Sequence, residues 1–292
     1  LAEVKEEGVP RIAYVNGAYR RLADAAVSIE DRGYQFADGV YEVFAVRAGR
    51  WLDRAGHLRR LARSLGELEI APPMATPALE LVLDETLRRN RLANALVYLQ
   101  VTRGVARRDH PFPDPPVPPA LVITVRPYSW AGADKKAEHG IAVISMPDQR
   151  WARRDIKSVS LLPNVLAKEA AKRAGAGEAW LIDAAGFVTE GSSSNAWILS
   201  GEGHLITRAL SHDILSGITR ESLIRGDLGG LGLRLEERAF SLAEALSAKE
   251  AFITSATNIA TPVVWLDGQP IAGGKPGPVA AALRAAYWRR NN

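Results

Sequence analysis

The stretch Arg150–Ser158, RWARRDIKS, places one of only 8 lysines, in a chain with 29 arginines, just ahead of the apolar run VSLLPN. Lysine is costly to bury, and burial lowers its pKa until the amine becomes a nucleophile. On its own, Lys157 is either a strand lysine reaching solvent or a buried functional amine. The other lysines have ordinary readings. Lys168 and Lys172 lie one turn apart on a solvated helix face, beside an i,i+4 pair of Glu169 and Arg173. Lys135 and Lys136 fall in a polar linker, and Lys275 in a Gly/Pro turn.

Two further stretches bear on Lys157. In VTEGSSSNAW, Glu190 precedes a glycine and three serines at a strand end. That is either a polar turn or a carboxylate beside a hydroxyl-rich loop that binds an anion. In LSGITRES (Leu215–Ser222), Gly217 stands just before a helix start, where backbone N–H groups can approach a phosphate. Each signal is weak alone. Together, a lysine amine, a carboxylate and a phosphate cradle are the three anchors that pyridoxal phosphate requires.

The rest of the chain gives these motifs a frame. Its 292 residues are 47% hydrophobic and 24% charged, normal for a globular chain with a substantial core. The net charge is +4, but basic and acidic residues interleave, with no basic block and no recognition-helix pattern, which argues against nucleic acid. Cysteine is absent, which excludes disulfides and thiolate chemistry. No apolar run is long enough to span a bilayer, and LAEVKEEGVP lacks the order of a secretion signal. The expectation is a cytoplasmic protein with no membrane partner.

RIAYVN reads as a strand, and GVYEVFAVRAGRWL as a hairpin around Ala48-Gly49-Arg50. Leu58, Leu61, Leu65 and Leu68 mark an amphipathic helix with Asp53 as cap; a second helix follows, with Thr76 as cap. Two strands flank a loop with six prolines in residues 111–119. The second half predicts a helix capped by Asn164 and a meander of EAWLID, FVTEG, NAWILS and HLITR. After it come two helices, the strand AFITS and a final helix. The expected domains are 1–125, a linker at 126–136, and 137–292.

The motifs in order resemble the fold-type IV pyridoxal-phosphate aminotransferases (class IV), a group holding D-amino-acid and branched-chain transaminases and aminodeoxychorismate lyases. EDRGYQFADGVYEV is similar to the N-terminal signature of that family, HLRRL to its phosphate-arginine helix and RDIKS to its lysine motif. VTEGSSSNAW, LSGITRES and TSATNIATPV resemble the remaining cofactor signatures. The resemblance implies a mixed α/β (α+β) fold, with a smaller N-terminal domain and a larger C-terminal pseudo-barrel domain that binds pyridoxal 5'-phosphate. It makes Lys157 the Schiff-base lysine and proton shuttle, and Glu190 the partner of the pyridine nitrogen. Arg60, Gly217, Ile218, Thr219 and Ser255 would hold the phosphate, with Leu215 against the ring. Ser192, Ser193 and Ser194 would lie near cofactor or substrate, and Arg150 and Tyr41 near ring and lysine. Ala256 stands where D-amino-acid transaminases carry Thr, which removes one hydroxyl contact to the phosphate.

Within the family, Arg108-Asp109-His110 resembles the Arg-x-His pair with which D-amino-acid transaminases bind the substrate α-carboxylate. Read without the family, it is a solvated basic loop tip. VYEVFAV lacks the Gly-Ile/Leu-Arg sequence of branched-chain enzymes, so Tyr41, Val43 and Tyr98 would line the substrate side as in D-specific members. Phe44 and Trp151 are either pocket-shaping residues or ordinary core aromatics. The resemblance thus implies transfer of an amino group from a D-amino acid to a 2-oxo acid, by a homodimer with its active site near the subunit interface. The alternatives are an (R)-selective amine transaminase, a branched-chain L-aminotransferase and an aminodeoxychorismate lyase.

Overall fold

A computed structural model describes residues 11–226, 228 and 231–291. The first ten residues of the expected N-terminal domain lie outside the described residues. The chain divides into two compact units. The first runs to Ser129 and takes in Ile156–Ser160; the second holds Trp130–Asp155 and the chain from Leu161 onward.

The first unit is an antiparallel sheet of β1 (Ile12–Val15), β2 (Ala18–Arg21), β3 (Gly39–Arg47), β4 (Arg50–Trp51), β5 (Ala95–Thr102) and β6 (Ala120–Pro127). Their order is β2-β1-β6-β5-β3-β4. The expected hairpin forms between β3 and β4, its turn made by Ala48 and Gly49 at positive φ (50° and 79°), as a two-residue hairpin turn requires. Short helix α1 (Arg32–Phe36) precedes β3, capped by Asp31, whose carboxylate accepts from the Gly33 N–H at 2.8 Å. α2 (Arg54–Glu67) buries Leu58, Leu61 and Leu65 in the sheet's core, as their 3-and-4 spacing predicts, each worth about 1.5–3 kcal/mol. Asp53 does not cap it: the residue is left-handed (φ 49°), which turns its side chain off the first-turn N–H groups. α3 (Thr76–Asn90) starts one residue earlier than expected, with Ala75 at the cap and Thr76 already helical.

The second unit opens with α4 (Trp130–His139), in a segment expected as linker. Its small polar composition suggested a loop, but Trp130 and Ala133 are one turn apart and buried, and the Trp130 ring packs edge-on against Trp288 at 5.2 Å. Next come β7 (Ile141–Pro147), α5 (Leu162–Arg173), β8 (Glu178–Ile182), β9 (Val188–Gly191), β10 (Asn195–Leu199), β11 (His204–Thr207) and α6 (Ile218–Ile224). β12 (Arg234–Glu237), α7 (Leu242–Ser247), β13 (Glu250–Thr254), β14 (Thr261–Leu266), β15 (Gln269–Pro270) and α8 (Pro278–Asn291) complete it. α7 carries a full capping box between Ser241 and Glu244. Asn164 does not cap α5, which begins two residues earlier; its amide donates instead to the Ser192 carbonyl at 2.8 Å.

The strands after α5 are not the simple meander expected. The order β12-β11-β10-β13-β14-β7-β8-β9 inserts β13 and β14 next to β10, and β7 pairs parallel with both β14 and β8. Local turn signals cannot encode a pairing such as that of β7 with β14, whose residues lie more than a hundred positions apart in sequence.

Candidate active site

In the first unit, alternation along β3 sorts the site residues by face. Tyr41 and Val43 are half-buried on one face, while Val40, Glu42 and Phe44 are buried on the other. Tyr98, the cross-strand partner of Val43, stacks its ring on Tyr41 at 5.6 Å. Burial, with Tyr41 beside it, pushes the Tyr98 phenol up to about 12, and its hydroxyl donates to Gln100 Oε1 at 2.6 Å. Tyr41, Val43 and Tyr98 therefore form one uncharged patch.

Ile156–Ser160 lies against the start of β3. The Tyr41 N–H donates to the Lys157 carbonyl at 2.9 Å, Val159 N–H donates to Gly39 O at 3.0 Å, and Val40 bridges Ser158. The Lys157 N–H donates to Ser64 Oγ at 3.3 Å. This backbone clamp fixes the base of the lysine, and its Nζ lies 4.2 Å from the Tyr41 ring centroid. Lys157 is neither on a free surface nor deep in the core. Its half-buried amine sits over an aromatic face.

Behind that face is a buried ionic cluster. Glu42, at 0% exposure, accepts from Arg60 through Nε at 2.7 Å and Nη2 at 2.8 Å, and pairs with His57 Nδ1 at 2.8 Å. Burial alone would raise the Glu42 pKa, but the Arg60 charge and the hydrogen bonds from Arg60 and His57 hold it at about 2. The His57 pKa is lowered as well, chiefly by burial, which disfavours its charged form. Arg60 is thus a buried, oriented guanidinium rather than a mobile surface cation. Phe44 is a core aromatic, between Trp51 and His57. Trp151 is exposed.

In the second unit, Glu190 is 4% exposed, at the end of β9. Its carboxylate pairs with Arg150, accepts from Asn195 Nδ2 at 2.9 Å and from the Leu215 N–H at 3.2 Å. Burial raises its pKa, and Arg150 only partly offsets that. For Arg150, burial opposes the charge but Glu190 and Asp148 overcome it, so its pKa is raised and the guanidinium stays charged. Asp148 bonds Arg150 at 2.7 Å. Asn195, given no role by the sequence, ties the parts together: its amide also donates to the Leu215 carbonyl at 3.0 Å.

Gly217 precedes α6 where a Cβ would collide with Asn195 Oδ1. Ile218 and Thr219 are buried in the first turn. Gly217→Ala would force Asn195 off Glu190 and Leu215, and is expected to cost about 1–3 kcal/mol in urea unfolding. An unchanged midpoint would mean that Asn195 turns aside freely. Ser255 and Ala256 open the turn after β13, where Ser255 Oγ accepts from the Asn258 N–H at 3.2 Å.

The three serines in the loop after Glu190 share one acceptor. Ser192, Ser193 and Ser194 all donate to one buried carboxylate, Glu178, the last two at 2.9 and 3.1 Å. Lys168 is exposed, as its solvated-face reading expects, and also pairs with the same carboxylate at 3.2 Å and donates to the Gly177 carbonyl at 2.7 Å. With their protons committed, the serines offer lone pairs outward rather than donors. The one signal in the sequence was Glu178 itself, a charge at the start of an otherwise apolar strand.

Arg108 and His110 stand exposed on the loop after β5, in the first unit. Both approach one ring: Phe36 lies 5.1 Å from the Arg108 guanidinium carbon and 5.5 Å from the His110 ring.

Comparison with known proteins shows the family. Residues 39–265 match the family described as "Amino-transferase class IV". The chain belongs to the class IV aminotransferases. A D-alanine aminotransferase of Staphylococcus haemolyticus is 36% identical over 274 residues, covering 94% of this chain and 95% of that protein. One from Bacillus licheniformis is 38% identical over 271 residues (93% and 94%), and one from Listeria innocua 39% over 271 residues (92% of each). Among solved structures, a T.th. branched-chain amino acid aminotransferase with pyridoxamine 5'-phosphate matches with a TM-score of 0.85 and 26% identity, over 96% of this chain and 93% of that one. The branched-chain amino acid aminotransferase from Escherichia coli matches with a TM-score of 0.86, over 97% and 95%; at 22% identity it shows the fold alone.

Class IV aminotransferases depend on pyridoxal phosphate, and this chain has their fold-type IV architecture. The residues present fit that cofactor. Lys157 is a positioned primary amine, Glu190 a buried carboxylate whose pKa is raised by burial, Arg60 an oriented guanidinium, and Gly217 a backbone with no room for a side chain. Among the described residues, no helix is long and apolar enough to cross a membrane.

Proposed function

We propose that this chain is a D-amino-acid transaminase, moving the amino group of a D-amino acid to a 2-oxo acid such as 2-oxoglutarate or pyruvate. The observation that carries the reading is the pairing of Arg108 and His110 about Phe36, beside full-length similarity to three D-alanine aminotransferases. A guanidinium fork and an imidazole suit a carboxylate. An amine without a carboxylate has no use for them.

Bound pyridoxal phosphate supplies an electron-withdrawing ring and the carbon that exchanges the amine. Lys157 Nζ is its covalent attachment point. The Lys157 amine would take the proton from the substrate Cα and hand it to the cofactor carbon that receives the amine. Glu190 would pair with the pyridine nitrogen, and Arg150, held by Asp148, keeps that carboxylate in place. Arg60, Ile218, Thr219 and Ser255 hold the phosphate, Arg60 oriented by Glu42. Gly217 would let the backbone approach it, and Leu215 would lie against the ring. Ala256 adds no hydroxyl contact. Ser193 and Ser194, bonded to Glu178, fix the turn that carries Glu190. Tyr41, Val43 and Tyr98 line the substrate side, and Arg108 and His110 bind the α-carboxylate. A cytoplasmic homodimer is the working assembly.

The test is a half-reaction without amino acceptor, followed by loss of the visible absorbance of the cofactor-loaded protein. D-Alanine is expected to bleach it fast, and L-leucine and (R)-1-phenylethylamine slowly or not at all. Bleaching by L-leucine alone would favour the branched-chain reading. Comparable bleaching by the (R)-amine would remove the carboxylate requirement.

A further inference from the structure

The segment Glu30–Asp38 sends several of its polar groups to the end of β5 and the loop that carries Arg108 and His110. Asp31 pairs with Val105 as an isolated bridge, and its carboxylate accepts from Thr102 Oγ1 at 2.9 Å. The Arg32 N–H donates to the Gly104 carbonyl at 2.9 Å. The Arg32 side chain, 3% exposed, goes further. Its Nε donates to Asp38 at 2.8 Å, Nη1 to the Asp109 carbonyl at 2.6 Å and Nη2 to the His110 carbonyl at 3.2 Å. Asp38 is itself held by Arg103, through Nε at 2.7 Å and Nη2 at 3.0 Å. The Phe36 ring, 4.9 Å from the Arg32 guanidinium carbon, faces both Arg108 and His110.

We propose that Arg32 and Phe36 are positioning residues for α-carboxylate recognition: Arg32 pins the backbone of the Arg108–His110 turn, and Phe36 sets the spacing of the two side chains. This rests on the reading of Arg108 and His110 given above. The physical need is plain. Exposed side chains on a loop lose rotamer freedom when they bind, and a loop left unheld offers them in many geometries. One buried guanidinium that grips two consecutive carbonyls removes backbone freedom directly under the recognition pair. Only arginine suits the task, because its planar fork reaches a carboxylate and two carbonyls at once, whereas a lysine ammonium is a point donor.

The experiment compares D-alanine with D-alaninamide, which lacks the carboxylate, in the half-reaction of cofactor-loaded Arg32→Lys, Phe36→Leu and Arg108→Ala. Arg32→Lys keeps the charge beside Asp38, and Phe36→Leu keeps apolar volume, so either variant carries the test if the other fails to fold. In both, the D-alanine concentration for half-maximal rate is expected to rise about 10–100-fold, since small misplacement of a positioned group costs up to about 10²-fold. The limiting rate, the visible spectrum and the reactivity of D-alaninamide should stay within about 3-fold of the parent protein, because the groups at Lys157 are untouched. If Arg108→Ala loses the preference for D-alanine while Arg32→Lys and Phe36→Leu keep it, the positioning role is wrong and the carboxylate reading stands. If the parent protein does not prefer D-alanine to D-alaninamide, or Arg108→Ala keeps the preference, the carboxylate reading fails and this inference with it. Equal loss for both substrates in Arg32→Lys and Phe36→Leu would mark a general structural role and overturn the proposal.

Discussion

Lys157→Ala is expected to lower transamination of D-alanine at least about 10⁴-fold, the upper range for loss of a positioned general base, because the covalent anchor goes with it. The expectation rests on geometry. The Lys157 backbone is fixed from both sides, by Tyr41 N–H and Ser64 Oγ, and its amine stands over the Tyr41 ring. Lys168 cannot substitute, because its Nζ is committed to Glu178 and the Gly177 carbonyl. The side chain is half-buried and carries no buried hydrogen-bond network, so the variant should fold with a melting temperature near that of the parent. Turnover and visible absorbance together make the check: the variant should bind cofactor without the absorbance of the covalent form, and added methylamine should restore part of the rate. A variant retaining more than about a tenth of parental activity would remove Lys157 from the chemistry.

Glu42→Ala is expected to destabilise the protein by about 3–5 kcal/mol, the usual cost of removing one partner from a buried ion pair. Arg60 and His57 would be left facing a cavity at a position with 0% exposure. The pH dependence has a defined sign. Glu42 titrates at about 2 in the folded protein against 4.5 for the free group. Its contribution is therefore complete above about pH 4.5 and is lost as pH falls toward 2. Urea unfolding between pH 7 and pH 3 should show the parent losing stability through this window and the variant losing less. Parallel curves would mean that Glu42 is not the ionised partner of Arg60. A drop in cofactor affinity is expected with the drop in stability, since Arg60 loses the carboxylate that orients it.

How much of this was legible in the sequence varied with the range of the interaction. Leu58, Leu61 and Leu65 gave α2 because helical periodicity is local, and Ala48-Gly49 gave the β3–β4 turn for the same reason. Lys157, Glu190 and Gly217 stood out in the sequence as a set, because pyridoxal phosphate demands three chemically distinct anchors; their shared role is part of the proposal. The supporting groups were not. Glu42 sits at the inward phase of a strand, where a carboxylate reads as an anomaly until the partners Arg60 and His57 on α2 are known. Asn195 lies within VTEGSSSNAW, yet nothing local signals that it bonds Glu190 and Leu215 together. The serine hydroxyls looked free for ligand because the acceptor, Glu178, lies fourteen to sixteen residues upstream on another strand. The helix at Trp130–His139 was hidden by a composition that suits either helix or loop; the deciding contact, with Trp288, is among the longest-range in the chain.

The most direct test of the central claim is the configuration of the product. The purified protein, loaded with pyridoxal 5'-phosphate, is incubated with D-glutamate and pyruvate, and the alanine formed is resolved on a chiral column. D-Alanine alone is the expected product. L-Alanine, or no alanine from a protein that carries its cofactor, would contradict the assignment of this chain as a D-amino-acid transaminase.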